Sequence, residues 1–270
     1  MPLLDRLLSP KRAAVMGILN LTPDSFSDGG RFVDPWIALA HAKRMIEEGA
    51  DIIDIGAEST RPYGGQAPVT AEMEKERLAP VLAGVVALGT PVSIDTMKAE
   101  VADWALRQGA AIANDVWGLQ RDADMAGVIA RHDVPVIVMH NRDKADPAID
   151  IIADIQAFFE RSLAIADKAG IRRERIVLDP GIGFGKVPAQ SMIAIRELDA
   201  FAHFGLPILI GLSRKRFIAS VVPSEPHQRL GGSIAANLIA VQAGASIVRT
   251  HDVADTLQAL RVAEAIRDAS

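Results

Sequence analysis

An acid at the end of an apolar segment, followed at once by proline and three glycines, is the densest grouping of chemically useful residues in the chain. It reads Asp179-Pro180-Gly181-Ile182-Gly183-Phe184-Gly185-Lys186, and the β-branched pair Ile176-Val177 leads into it. A carboxylate there adds little to packing, so the plain reading is a tight strand-to-helix turn. Two phosphate-binding motifs are excluded. Six residues before Lys186 stands Pro180 rather than glycine, and Val187 occupies the place where a P-loop has Ser or Thr. After Gly181 and Gly183, the third glycine position of a dinucleotide fingerprint is Lys186.

Seven other apolar runs also end in polar residues: Asn20, Asp54, Asp95, Asn114 with Asp115, His140, Lys215, and Arg249 with His251. One such residue alone is usually a helix cap or a turn former. Together they divide into two kinds of chemistry. Asp95, Asn114, Asp179 and Lys215 offer carboxylate acceptors, an amide and an ammonium. That set suits a flat heterocycle with adjacent N–H donors and a carbonyl, because one carboxylate accepts two parallel N–H bonds from an amidine-like edge. Arg249, His251, Asn20 and the hydroxyl of Thr60 suit a phosphate or diphosphate.

Other chemistries lack their residues. There is no cysteine, so thiolate nucleophiles, disulfides and zinc–thiolate sites are excluded. The histidines show no HxH or HExxH spacing, so a transition-metal site is not expected. Magnesium held by a substrate diphosphate and one protein oxygen fits better. Ser213 lacks a GxSxG setting. His132 follows a helical pattern and reads as its exposed end. Trp36, Trp104 and Trp117 read as packing residues, with Trp117 also a candidate pocket wall, and Lys186 is expected to be solvated.

The elements that must bring these residues together alternate. Apolar runs at 13–19, 51–56, 91–94, 111–113, 134–139, 175–178, 207–212 and 246–248 read as strands. Helical spacing follows each, over 35–48, 70–88, 98–108, 123–131, 149–169, 189–204, 231–243 and 254–267. Strict strand-then-helix order implies parallel strands with right-handed crossovers. Eight units in this length match the α/β fold of a (β/α)8 TIM barrel, with an open doubly wound sheet as runner-up. In a barrel the C-terminal strand ends form one ring, so polar residues far apart in sequence converge. With no linker or shift in composition, residues 1–270 form a single domain, with 1–12 as an N-terminal extension.

Composition agrees. Hydrophobic residues make up 49% and aromatics 4%, the balance of buried parallel strands rather than of an aromatic-rich β protein. A formal charge of −5 gives no electrostatic case for nucleic acid or an anionic membrane. No apolar run is long enough for a membrane span, and residues 1–10 do not read as a signal peptide. A cytoplasmic location is expected.

Taken together, the motifs resemble those of the bacterial dihydropteroate synthase family. They are Met16 through Gly30, Glu58-Ser59-Thr60-Arg61-Pro62, Ser93-Ile94-Asp95-Thr96, Asn114-Asp115, Met139-His140, the Asp179–Lys186 run, Ser213-Arg214-Lys215 and Arg249-Thr250-His251-Asp252, in family order over essentially the whole chain. The resemblance implies condensation of 6-hydroxymethyl-7,8-dihydropterin diphosphate with 4-aminobenzoate, with sulfonamides as inhibitors and a homodimer as the assembly. It implies that Asp95, Asn114, Met139, Asp179 and Lys215 hold the pterin. Asn20, Thr60, Arg249 and His251 would hold the diphosphate, with Asn20 on its Mg2+. Phe26, Arg61, Pro62, Phe184 and Lys215 would form the aminobenzoate site, and Asp28, Lys215, Arg249 and His251 would act in catalysis. Glycine-flanked loops at 27–30 and 63–65 are expected to close over the site. Two departures fall in loops: Tyr63 after Pro62, and Asn141-Arg142-Asp143 after His140. A corrinoid-dependent pterin methyltransferase and a non-catalytic pterin-binding paralogue are the alternatives. The lid motifs and Ser213-Arg214-Lys215 weigh against the first, and the filled ligand positions against the second.

Overall fold

The computed structural model describes residues 3–8, 12–22, 34–58 and 69–269. Eight parallel strands form one sheet in the order β6-β5-β4-β3-β2-β1-β8-β7. They are β1 (Ala14–Asn20), β2 (Ile52–Gly56), β3 (Val92–Asp95), β4 (Ile112–Asp115), β5 (Val136–Met139), β6 (Ile176–Asp179), β7 (Leu209–Gly211) and β8 (Ile247–Thr250). The ends of the sheet meet through a bridge between Leu178 and Ile208, and the Leu178 amide donates to the Pro207 carbonyl at 2.9 Å. The sheet is therefore a closed barrel, as the alternation predicts.

Side-chain parity explains how the barrel aims its polar residues. Met16, Ile52, Ile112, Ile137, Val177, Leu209 and Ile247 pack against one another inside the barrel. Each lies near the start of its strand. Successive residues of a strand point to opposite faces, so the next inward residue is two further on. In β2, β4, β5, β6 and β8 that residue is Asp54, Asn114, Met139, Asp179 or Arg249. The apolar layer is thus a floor, and the polar layer stands on it toward the C-terminal mouth. A short helix, α1 (Leu3–Leu7), adds the buried side chain of Leu4 to the floor from below.

Outward-facing strand residues such as Val15, Ile53, Ile94, Val138, Leu178, Ile210 and Val248 join a second, larger core with the helices. These helices are α2 (Pro35–Glu47), α3 (Ala71–Val86), α4 (Ala99–Arg107), α5 (Met125–His132), α6 (Ile151–Ala169), α7 (Pro188–Arg196), α8 (Arg216–Val221), α9 (Leu230–Gln242) and α10 (Val253–Arg267). Their starts follow local chemistry. Asp34 caps α2 by accepting from Trp36 N, with Pro35 next in line; Asp150 accepts from Ile152 N and Ala153 N at the start of α6.

Two expectations need correction, and one element adds to the pattern. The helical pattern over 189–204 breaks after α7 and continues as a 3-10 segment, Leu198–Phe204. Leu198, Phe201 and Phe204 are buried there at three-residue spacing, which a 3-10 helix aligns on one side. The six-residue α8 adds to the pattern and is too short to carry a periodic signal. Trp36 does not pack: it is 79% exposed, on the outer face of the first turn of α2.

Candidate active site

The polar layer is built around Arg249. Its Nε donates to Asp54 Oδ2 at 2.6 Å and its Nη2 to Asp95 Oδ2 at 2.8 Å, so one planar guanidinium joins carboxylates from β2 and β3. Asn114 Nδ2 donates to both Asp54 oxygens at 3.3 Å. Asp54 is completely buried. Burial opposes the charge on Arg249, but Asp54 and Asp95 more than offset it and hold its pKa above the ordinary arginine value. Burial pushes the Asp95 carboxyl up to about 7 against the pull of Arg249, with Asp54 adding to the rise. Asp95 Oδ1 is buried with no hydrogen-bond partner among the described residues. An unmet acceptor of that kind is costly unless a ligand completes it.

Across the mouth, Asp179 ends β6. Its Oδ1 accepts from the Gly181 amide at 2.7 Å, which fixes the carboxylate plane. Each carboxylate oxygen accepts more than one bond, so both oxygens can still face a ligand edge. Burial raises the Asp179 pKa. Met139, 3% exposed, lies beside it in register on β5. Lys215 stands over the Phe184 ring, with Nζ 4.2 Å from the centroid.

The turn after β7 is held from outside. Arg214 has a left-handed backbone, φ 59, and its guanidinium grips Asp252 through both carboxylate oxygens. Its amide donates to Ser233 Oγ at 2.9 Å, and Arg229 Nη1 donates to its carbonyl at 3.0 Å. Ser213 Oγ lies 3.0 Å from His251 Nδ1 and accepts from the His251 amide at 3.2 Å. The Lys215 and His251 corners are therefore linked twice. Asn20 ends β1, in register with Gly56.

Several sequence readings change here. Lys186 is not solvated: it is 2% exposed, and its Nζ donates to the carbonyls of Gly181 (2.9 Å) and Phe184 (3.2 Å) and to His140 Nδ1 (2.6 Å). Burial pushes its pKa down to about 7. His140 points away from the mouth, between Lys186 and Asp154. Asp115 faces outward and accepts from the amides of Trp117 (2.9 Å) and Leu119 (2.6 Å), a turn role; burial raises its carboxyl to about 6. His132 is half-buried against Asp103, 2.8 Å away. Trp117 lines a cavity of about 680 Å³ together with Arg121, Arg142 and Phe158, but this cavity lies beside the barrel mouth, between the loops after β4 and β5. Phe26, Asp28, Thr60, Arg61, Pro62 and Tyr63 lie outside the described residues. At the edge of the second loop, Lys98 ties Glu58 (2.5 Å) to the fully buried Glu74 (2.8 Å).

Asp54, Arg214 and Lys186 are the residues that sequence reading undervalued. Asp54 carries the strand-end signal, but its pairing with Arg249 shows only in the closed barrel. The bond between Arg214 and Asp252 spans 38 residues and has no local signature.

A parallel barrel with this carboxylate–amide–guanidinium mouth defines a binder of a flat, N–H-bearing heterocycle. The family model described as pterin binding enzyme matches residues 16–251. A dihydropteroate synthase of Bacillus subtilis is 44% identical over 95% of this chain and 89% of its own. Among solved structures, a dihydropteroate synthase from Clostridium difficile, in the presence of pteroic acid, superposes with a TM-score of 0.90 at 47% identity, covering 95% of this chain and 97% of that one. One from Xanthomonas albilineans with 4-aminobenzoic acid has a TM-score of 0.90 at 43% identity, covering 96% and 94%. The chain belongs to the pterin binding enzyme family, on its dihydropteroate synthase branch. It is a transferase of folate biosynthesis.

Proposed function

We propose that this site condenses 6-hydroxymethyl-7,8-dihydropterin diphosphate with 4-aminobenzoate, releasing 7,8-dihydropteroate and diphosphate. The observation that carries the reading is the buried Asp95 Oδ1, without a partner among the described residues, beside Asn114 and opposite Asp179, a set of acceptors at the barrel mouth. The aminopyrimidinone edge of a pterin has the N–H groups and carbonyl to meet them. Lys215 serves both substrates, as a donor to the pterin and, with Phe184, as the wall of the aminobenzoate site.

In the reaction the aromatic amine attacks the methylene carbon, the bond from that carbon to the diphosphate oxygen breaks, and the amine loses a proton. The electron-rich dihydropterin stabilises positive charge at the carbon, so no protein nucleophile is needed. The protein neutralises the leaving group, excludes water and aligns the amine. Arg249 and His251 take the diphosphate, with Asn20 and Thr60. Arg249 Nη1 has no bond to a described residue, so the same guanidinium that orders the pterin carboxylates keeps a donor for the anion. Asp28 offsets the developing positive charge, and Phe26, Arg61 and Pro62 complete the aminobenzoate site from the two lid loops.

Among the described residues no group of three or more His, Cys, Asp or Glu forms a metal site. Asn20, partly exposed at the mouth end of β1, has a side-chain oxygen that would hold a magnesium ion together with the substrate diphosphate. When bound, the ion adds charge neutralisation at the leaving group. We also infer a homodimer in the cytoplasm. No described helix is long and apolar enough to cross a membrane.

The test is diphosphate release from the pterin diphosphate with and without 4-aminobenzoate. Release that depends on aminobenzoate supports the reading. No release, with methyl transfer from methyltetrahydrofolate instead, overturns it. Sulfonamides should raise the apparent KM for 4-aminobenzoate without lowering kcat, and a purely noncompetitive pattern would remove them from that subsite.

A further inference from the structure

Lys186 closes the loop that carries Asp179 and Phe184, yet the reaction described above makes no use of it. An ammonium has three N–H donors and no acceptor. Here each donor has one acceptor: the Gly181 carbonyl, the Phe184 carbonyl and His140 Nδ1. Nδ1 accepts only when the imidazole carries its proton on Nε2. Asp154 selects that tautomer by accepting from Nε2 at 2.9 Å, and Arg142 Nη1 holds the other Asp154 oxygen at 2.7 Å. Phe158 packs edge-on against the imidazole, with centroids 4.9 Å apart. The chain Asp154–His140–Lys186 thus runs from the first turn of α6, past the end of β5, into the loop after β6.

The loop needs such a fixture. Gly181, Gly183 and Gly185 all have positive φ (63, 83 and 55), so its backbone has little intrinsic preference for one shape. Its own internal backbone bond runs from the Phe184 amide to the Gly181 carbonyl, at 3.0 Å. Lys186 holds both residues of that turn by their carbonyls. One end of the turn orients Asp179 through the Gly181 amide, and the other carries the ring under Lys215.

We propose that Lys186, set by His140 and Asp154, is a positioning residue that fixes the turn between Asp179 and Phe184 and so sets the alignment of aminobenzoate against the bound pterin. Lys186 touches neither substrate. The inference rests on the proposed function for its kinetic consequence, but not for the clamp itself.

The experiment compares the wild type with Lys186→Met, which keeps the length of the side chain and removes its donors. In the folded variant kcat/KM for 4-aminobenzoate falls about 100-fold, the scale of a misplacement near 1 Å. Calorimetric affinity for the pterin diphosphate changes less than about threefold, which separates lost alignment from lost uniform binding. The Phe184 amide exchanges with solvent at least tenfold faster, by roughly the scale of a lost hydrogen bond. Methylammonium restores part of the activity of Lys186→Ala by refilling the three-acceptor site. A folded Lys186→Met with unchanged kcat/KM and unchanged Phe184 protection overturns the proposal. If Lys186→Met does not fold, Asp154→Ala decides the matter. A fall of roughly fivefold in kcat/KM supports the clamp, on the scale of one weakened hydrogen bond, and no change overturns it. A wild type that releases no diphosphate sinks the functional reading, while the exchange rate at Phe184 still reports on the clamp.

Discussion

Each carboxylate in the mouth has a different electrostatic setting, and the settings predict different failures. Asp179 is buried with one oxygen oriented by Gly181, so its amide replacement loses an acceptor without losing shape. Asp179→Asn should weaken pterin binding by about 1.5–3 kcal/mol, the worth of a charge-assisted hydrogen bond. Calorimetry returning an unchanged pterin affinity would remove Asp179 from the pocket. Arg249 is different because it compensates two buried acids. Arg249→Ala leaves Asp54 and Asp95 unpaired in the barrel, and the cost of breaking such a pair is about 3–5 kcal/mol. Urea unfolding should show that loss alongside lost diphosphate affinity. Unchanged stability would mean that water replaces the guanidinium.

At the scale of elements, the molecule joins strand ends by ionic links between neighbouring loops. The link from α6 through β5 to the loop after β6 has a definite pH signature. Burial lowers the His140 pKa from 6.5 to about 4, and bonding to His140 holds the Asp154 carboxyl below the usual carboxylate range. In both cases the unfolded chain binds more protons than the folded one, so stability falls as pH falls. For His140 the window runs from about 6.5 down to about 4, and the loss at pH 5 is ~2 kcal/mol. Asp95 and Asp115, whose pKa values burial raises, oppose this trend. Lys186 and Arg142 face His140 along with Asp154, so only a comparison with a His140 variant isolates the imidazole. Between pH 7 and pH 5, His140→Asn should lose less stability than the wild type by about that amount. Equal losses in urea would show that His140 takes up its proton without cost.

On the scale of the whole barrel, an apolar floor carries a polar layer, and the floor includes a residue from outside the strands. Leu4 of α1 is 3% exposed and packs with Met16, Ile52, Ile112, Ile137, Val177, Leu209 and Ile247. Leu4→Ala should destabilise the protein by about 2–4 kcal/mol, as large-to-small core substitutions do. A change under ~0.5 kcal/mol, the range of ordinary surface substitutions, would mean that α1 only rests on the barrel.

The sequence by itself determined the repeating order of strand and helix, hence the barrel, because hydrophobic periodicity is written locally. It also marked Asp95, Asn114, Asp179, Lys215, Arg249 and His251, because polar residues at the ends of apolar runs stand out against their neighbours. Only the tertiary structure decided which partners those residues meet. Polar residues at strand ends group Arg249 with the anion-type side chains, and closure of the barrel also seats it between Asp54 and Asp95. In sequence, a lone lysine after a glycine loop reads as solvated, as Lys186 does. Its burial depends on acceptors from His140 and from its own loop, which meet only once β5 and β6 lie side by side. Local periodicity can specify which way a side chain points, but the partner it finds there is set by the packing of segments distant in the chain.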